Sequence, residues 1–274
     1  RYFGKYPFWD DGIAFVETPY LGMEHQGAIA YGNQYMRGYL GGMIPNDMNW
    51  DYIIVHEYGH EYFGNSVSAK DIAEIWIHES FTTYMESLWV ECAYSYEDAV
   101  RYLKSQKPYI VNKEPIVGPL DVNFEDWGGS DQYFKGAWVL HSLRHAINDD
   151  EAWLDMLRSL HNKFAYTTTT TQDIIDYVNV CTKKNFTPFF QQYLYYPAIP
   201  TFEYSLDQKG KKTKLRYRWK ADIPDFDMPI MVGEREKYTM IHPTTEWQTI
   251  TLQDINDFSV AEELFLINVK NVNE

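Results

Sequence analysis

The segment His56-Glu57-Tyr58-Gly59-His60 constrains this chain more than any other. Residues four apart lie on one face of an α-helix, so a helix here turns two imidazoles toward one point. Two such rings can hold a zinc ion, and Glu57, on the neighbouring stripe, is placed to take a proton from a water there. A catalytic zinc takes three protein ligands and leaves one position open. The third candidate is Glu79, which follows His60 after the eighteen intervening residues 61–78 and opens a second apolar run with Phe81, Met85 and Leu88. That interval suits a helix, a turn and a second helix packed back on the first. Glu86 lies two turns beyond Glu79 on the same face, within reach of the outer nitrogen of a ligand imidazole. The expected cofactor is one zinc ion on His56, His60 and Glu79.

The rest of the sequence tells what surrounds such a site. With 274 residues, 45% of them hydrophobic, the chain can bury one large domain and a smaller one. Lys and Arg number 24 against 39 Asp and Glu, a net charge of −15. Phosphate backbones repel such a surface, which argues against a nucleic-acid partner. No apolar run approaches the roughly 18–20 residues that span a bilayer. The first residue is Arg1, without a charged-then-apolar leader, so the expectation is a piece of a longer protein. Two cysteines, Cys92 and Cys181, make no disulfide framework and no metal knuckle, and are expected to be buried and inert.

Pattern divides the chain in three. Residues 1–45 are rich in glycine and aromatics, with short β-type runs at 13–17 and 28–31. Residues 47–195 show helical spacing, with helices expected over 51–64, 78–93, 133–147, 151–164 and 173–181. Thr170 with Asp173 reads as the start of the last of these. Beyond Pro197 and Pro200 the period becomes two: Phe202, Tyr204 and Leu206, then Leu215, Tyr217 and Trp219, alternate with polar residues. Further strands are expected near Tyr238, Ile250 and Phe265. The fold class is therefore α+β, with a mostly helical domain over 1–199 and a small antiparallel β-sandwich over 200–274.

The run from His56 to Glu86, HEYGHEYFGNSVSAKDIAEIWIHESFTTYME, resembles the gluzincin aminopeptidases, the family of aminopeptidase N and leukotriene hydrolase. That family carries HExxH, F-G-N after the second His, and a W-x-N-E segment whose Glu is the third ligand. Here His78 stands where Asn is usual. Gly22-Met23-Glu24-His25 is similar to the family's G-x-M-E-N motif, with Leu21 in place of its first Gly and His25 in place of its Asn. Tyr133-Phe134-Lys135-Gly136 resembles its Y-x-K-G element.

The resemblance implies a thermolysin-like catalytic domain, further domains in the full-length relatives, peptide substrates, and an exported or periplasmic setting. By residue, it implies that Glu24, with Gly22 and Met23, binds the substrate's free amino end. Tyr133 would stabilise the oxyanion, and His78 and Glu86 would support the ligands. Around the same site an endopeptidase, an epoxide hydrolase and a non-catalytic binding module remain alternatives.

Overall fold

A computed structural model of the chain describes residues 2–210, 212–235, 237–253, 255 and 257–273. A three-stranded sheet comes first: β1 (Ala14–Glu17), β2 (Gly22–Met23) and β3 (Ala28–Tyr31), in the order β1-β3-β2. β3 lies between the other two and buries Ile29, Ala30 and Tyr31, while β1 is exposed along its length. A loop then leads into α1 (Tyr52–His60), whose first turn is capped by Asp51 accepting the N–H of Ile54 at 3.2 Å. The helix expected to reach residue 64 stops at His60, because the following turn bends back through Gly64 at φ +139°.

β4 (Val67–Ala69) follows, and then α2 (Trp76–Ala93), which packs against α1, α3 (Tyr96–Gln106) and α4 (Phe134–Ile147). Because α2 has neighbours on several sides, it buries Trp76, Phe81, Tyr84 and Leu88 together with small polar residues. Those small residues let helices approach closely. A Cβ on Gly59 would meet Thr82 Cγ2 at 2.9 Å, so α1 needs a glycine where it crosses α2.

α5 (Asp150–Phe164), β5 (Thr167–Thr169), α6 (Thr171–Thr182) and α7 (Thr187–Tyr195) complete the helical body. The threonine run does two jobs. Thr170 and Asp173 form the expected reciprocal cap of α6, while the residues just before them make β5, parallel to β4.

The tail holds β6 (Thr201–Lys209), β7 (Lys212–Lys220), β8 (Ile230–Glu234), β9 (Lys237–Ile241), β10 (Gln248–Gln253), β11 (Ser259–Val260) and β12 (Asn268–Asn271). They form two sheets, β10-β7-β6-β12 and β11-β8-β9. The alternation read from the sequence is real: β7 buries Thr213, Leu215, Tyr217 and Trp219, while Lys214 and Arg216 between them are exposed and Arg218 is half-buried. One pairing departs from the antiparallel expectation, because β12 runs parallel to β6 with Asn268 opposite Thr201. Phe265 is not in a strand but fully buried in a bend before β12.

Phe202, Leu215 and Trp219 of the tail share one continuous apolar core with Trp138 of α4 and Phe189, Phe190 and Tyr193 of α7. Tyr193 donates its hydroxyl to the Leu266 carbonyl at 2.7 Å, and the Leu266 N–H donates to Ser142 Oγ at 2.8 Å. Both cysteines are exposed, contrary to expectation: Cys92 at the last turn of α2 and Cys181 at that of α6 face outward. No helix among the described residues is long and apolar enough to cross a membrane.

Candidate active site

α1 and the first turn of α2 bring three donor atoms together. His56 Nε2 and His60 Nε2 stand 3.1 Å apart, and Glu79 Oε2 lies 3.5 Å from the first and 3.3 Å from the second. All three residues are buried. A tetrahedral zinc with bonds of about 2.0–2.1 Å spaces its ligands about 3.3–3.4 Å apart, so the donor set fits that ion.

The outer nitrogens decide the tautomers. His60 Nδ1 faces the Phe63 carbonyl at 3.0 Å and His56 Nδ1 faces Glu86 Oε1 at 2.6 Å. A carbonyl or carboxylate oxygen only accepts, so each Nδ1 carries the proton and each Nε2 turns a lone pair inward. Two lone pairs and a carboxylate converging on one point call for a cation between them. The electrostatics agree. Burial opposes protonation of both rings, yet Glu79, joined at His56 by Glu86, outweighs it and raises both imidazole pKa values. Burial also works against the charge on Glu79, but His60 and His56 hold its carboxyl well below the usual range. Glu86 is itself fully buried, and its second oxygen accepts from the Tyr102 hydroxyl at 2.5 Å and from Gln106 Nε2 at 3.2 Å.

Glu57 lies buried beside this group, and its pKa is raised by burial while His56 and His60 pull it the other way. β2 passes directly over it: a Cβ on Gly22 would overlap Glu57 Oε1, so a larger residue there would push the Glu57 carboxylate aside. Glu24 follows β2, and its carboxylate, that of Glu57 and a ring nitrogen of His60 lie within 4.8 Å of one another. Tyr133 stacks on His56 with ring centroids 6.0 Å apart. Burial, followed by Glu79, raises its pKa, so the phenol stays a donor. A cleft of about 450 Å³ opens onto His56, Glu57 and Tyr133, with Leu21 and Gly22 along its wall.

Two residues singled out from the sequence stand apart. Met23 belongs to β2 and its side chain is exposed. His78 turns to β4, where its Nε2 accepts the Ala69 N–H at 2.7 Å. Burial, then His60, lowers its pKa to about 4, so the ring is a neutral tie between β4 and α2. The sequence reading missed Tyr102 and Gln106, which hold Glu86. Their spacing of four on α3 marked a shared face, but nothing local said which residue that face meets.

Residues 1–193 match the Peptidase family M1 domain. The chain belongs to peptidase family M1. Among curated relatives, a leucyl aminopeptidase of Saccharolobus solfataricus is 22% identical over 212 residues, which cover 74% of this chain and 27% of that protein. Aminopeptidase Ey of Gallus gallus is 26% identical over 181 residues, 61% of this chain and 18% of that protein. The M1 chain thus spans about a quarter or less of the length of these relatives. The fold matches aminopeptidase A of Legionella pneumophila, solved with aspartic acid, at a TM-score of 0.72 and 14% identity, covering 93% of this chain and 31% of that one. It also matches a mutant M1 zinc metallopeptidase of Deinococcus radiodurans bound to a Tyr-Ser-Ala substrate, at a TM-score of 0.57 and 23% identity. That match covers 72% of this chain and 42% of the other.

Proposed function

We propose that this M1 chain carries the active site of a zinc aminopeptidase, which hydrolyses the first peptide bond of peptides with a free α-amino group. The observation that carries the reading is the convergence of His56, His60 and Glu79 beside Glu57, with the Glu24 carboxylate within 4.8 Å of Glu57 and His60. On the same footing, residues 1–199 are read as a thermolysin-like catalytic domain and 200–274 as a β-sandwich.

Zinc on His56, His60 and Glu79 would supply a Lewis acid that lowers the pKa of water toward about 7 and draws charge from the scissile carbonyl. Glu57 takes a proton from the attacking water as its oxygen bonds to the carbonyl carbon. It then hands that proton to the nitrogen as the carbon–nitrogen bond breaks. Its burial suits this role, since a raised carboxyl pKa eases both acceptance and return of the proton. The Tyr133 phenol donates to the carbonyl oxygen, where negative charge grows only on the way to the transition state. Glu24 pairs with the substrate ammonium and so sets which peptide bond meets Glu57.

Three substrates assayed in parallel test the reading: a free-amine aminoacyl amide, its N-acetyl form, and a longer internally quenched peptide. Hydrolysis confined to the free amine is expected. Equal cleavage of the first two, or initial cleavage at internal bonds, would make the enzyme an endopeptidase instead.

A further inference from the structure

Glu24 stands one residue beyond β2, which pairs with β3 only at Gly22 and Met23. The turn over residues 24–27 carries this carboxylate past the end of the sheet. Its own bonds, His25 N–H to the Met23 carbonyl and Ala14 N–H to the Gly27 carbonyl, stay within the sheet layer. Two side chains just after His60 tie the turn to the helical body. Asn65 Nδ2 donates to the Glu24 carbonyl at 2.8 Å, and Glu61 Oε1 accepts the Gly27 N–H at 3.0 Å. One bond holds each end of the turn. Glu61 is fully buried, and the Asn65 N–H is fixed on the His60 carbonyl at 2.9 Å.

We propose that Asn65 and Glu61 are positioning residues that hold the Glu24 carboxylate at a set distance from His60 and so restrict cleavage to the first peptide bond. The proposal rests on the reading of Glu24 given above. Its physical basis is reach: a carboxylate on an untethered turn would still attract an ammonium, but over a range of distances. A misplacement of about 1 Å at a reacting centre costs on the order of a hundredfold in rate. Anchoring the turn to the residues that follow His60 makes the amine site and the metal-ligand site move as one body.

The test is the ratio of kcat/KM for a free-amine aminoacyl amide to that for its N-acetyl twin, with zinc content measured on every variant. Asn65→Ala and Glu61→Ala should each lower the ratio by about tenfold at full zinc occupancy. Glu61→Gln keeps an acceptor for Gly27 and should retain the ratio. In a Glu24→Ala background neither alanine variant should lower it further. Where turnover is slow, the Kd ratio of an amino-acid hydroxamate and its N-acetyl form gives the same comparison, and each variant releases its own end of the turn if the other fails to fold. Unchanged ratios in both alanine variants, or a loss that persists without Glu24, would overturn the positioning role alone. A wild-type protein indifferent to acetylation would overturn the reading of Glu24 and this inference with it.

Discussion

Gly136 and Ser80 meet with no room between them where α4 crosses α2: a Cβ on Gly136 would overlap Ser80 Oγ and stand 2.5 Å from Ser80 Cβ. Ser80 follows Glu79, and its hydroxyl donates at 2.7 Å to the carbonyl of Gln132, the residue before Tyr133. This contact therefore ties the start of α4, and Tyr133 with it, to the turn of α2 that carries Glu79. Gly136→Ala should gain about 1 kcal/mol in helix propensity but lose about 1–3 kcal/mol to overpacking. A net loss of stability is expected, measurable as a lower urea midpoint, with Ser80→Gly in the same chain recovering most of it. A stabilised single variant would show that the helices part freely.

His60→Ala removes one of the three proposed ligands. Elemental analysis should find the zinc lost, since two donors do not hold a catalytic zinc site together. Full occupancy in that variant would remove His60 from the ligand set.

Glu57→Gln separates metal from proton transfer. The amide preserves the shape beneath Gly22 but takes no proton at neutral pH. Zinc should stay at one per chain while kcat falls by at least about a hundredfold, the lower end of what a general base contributes. Turnover near normal in a zinc-loaded variant would exclude Glu57 as the base.

Tyr133→Phe should act on kcat and leave KM nearly unchanged, because its hydrogen bond strengthens as charge develops. Removing one such donor costs about a hundred- to a thousandfold in rate. A change confined to KM would contradict the role.

Lys135 is fully buried, donates to the Tyr196 and Pro197 carbonyls at 3.1 and 2.7 Å, and is held by burial at a pKa of about 8, down from 10.5. Between those two values the unfolded chain carries a proton that the native chain has released. The Lys135 contribution to stability should therefore rise with pH across this window, while below about 8 both states are charged and the cost of burial is felt in full. The shift sets an upper limit of about 3 kcal/mol. Urea denaturation across that window should show the wild type gaining stability relative to Lys135→Met as pH rises.

The parts of this site that were legible in the sequence are those governed by a short period. His56 and His60 share a face because both sit on one helix, and Glu86 meets His56 because a regular helix carries it two turns past Glu79. The tail's inward residues followed from alternation in the same way. Long-range pairing left no such trace. Thr170 reads as a cap from Asp173 three residues on, yet nothing local marks Thr167–Thr169 as a strand, which forms because Val67–Ala69 lies alongside. Met23 and His78 belong to motifs whose neighbours reach the site, but their side chains follow the sheet edge and β4. Cys92 and Cys181 were expected inside on residue type, whereas their positions on outward faces of helix ends govern their exposure.

The parallel seat of β12 on β6 has a consequence for how the molecule comes apart. Just before β12, Leu266 bonds both Ser142 of α4 and Tyr193 of α7, so one short segment links the far edge of the tail to two helices of the body. If that segment lifts, the β6 edge, the Tyr193 hydroxyl and the ring of Phe265 are uncovered together. Loosening of the tail should therefore register as a single cooperative opening, with exchange protection at β6 and around Leu266 lost at the same free energy instead of strand by strand.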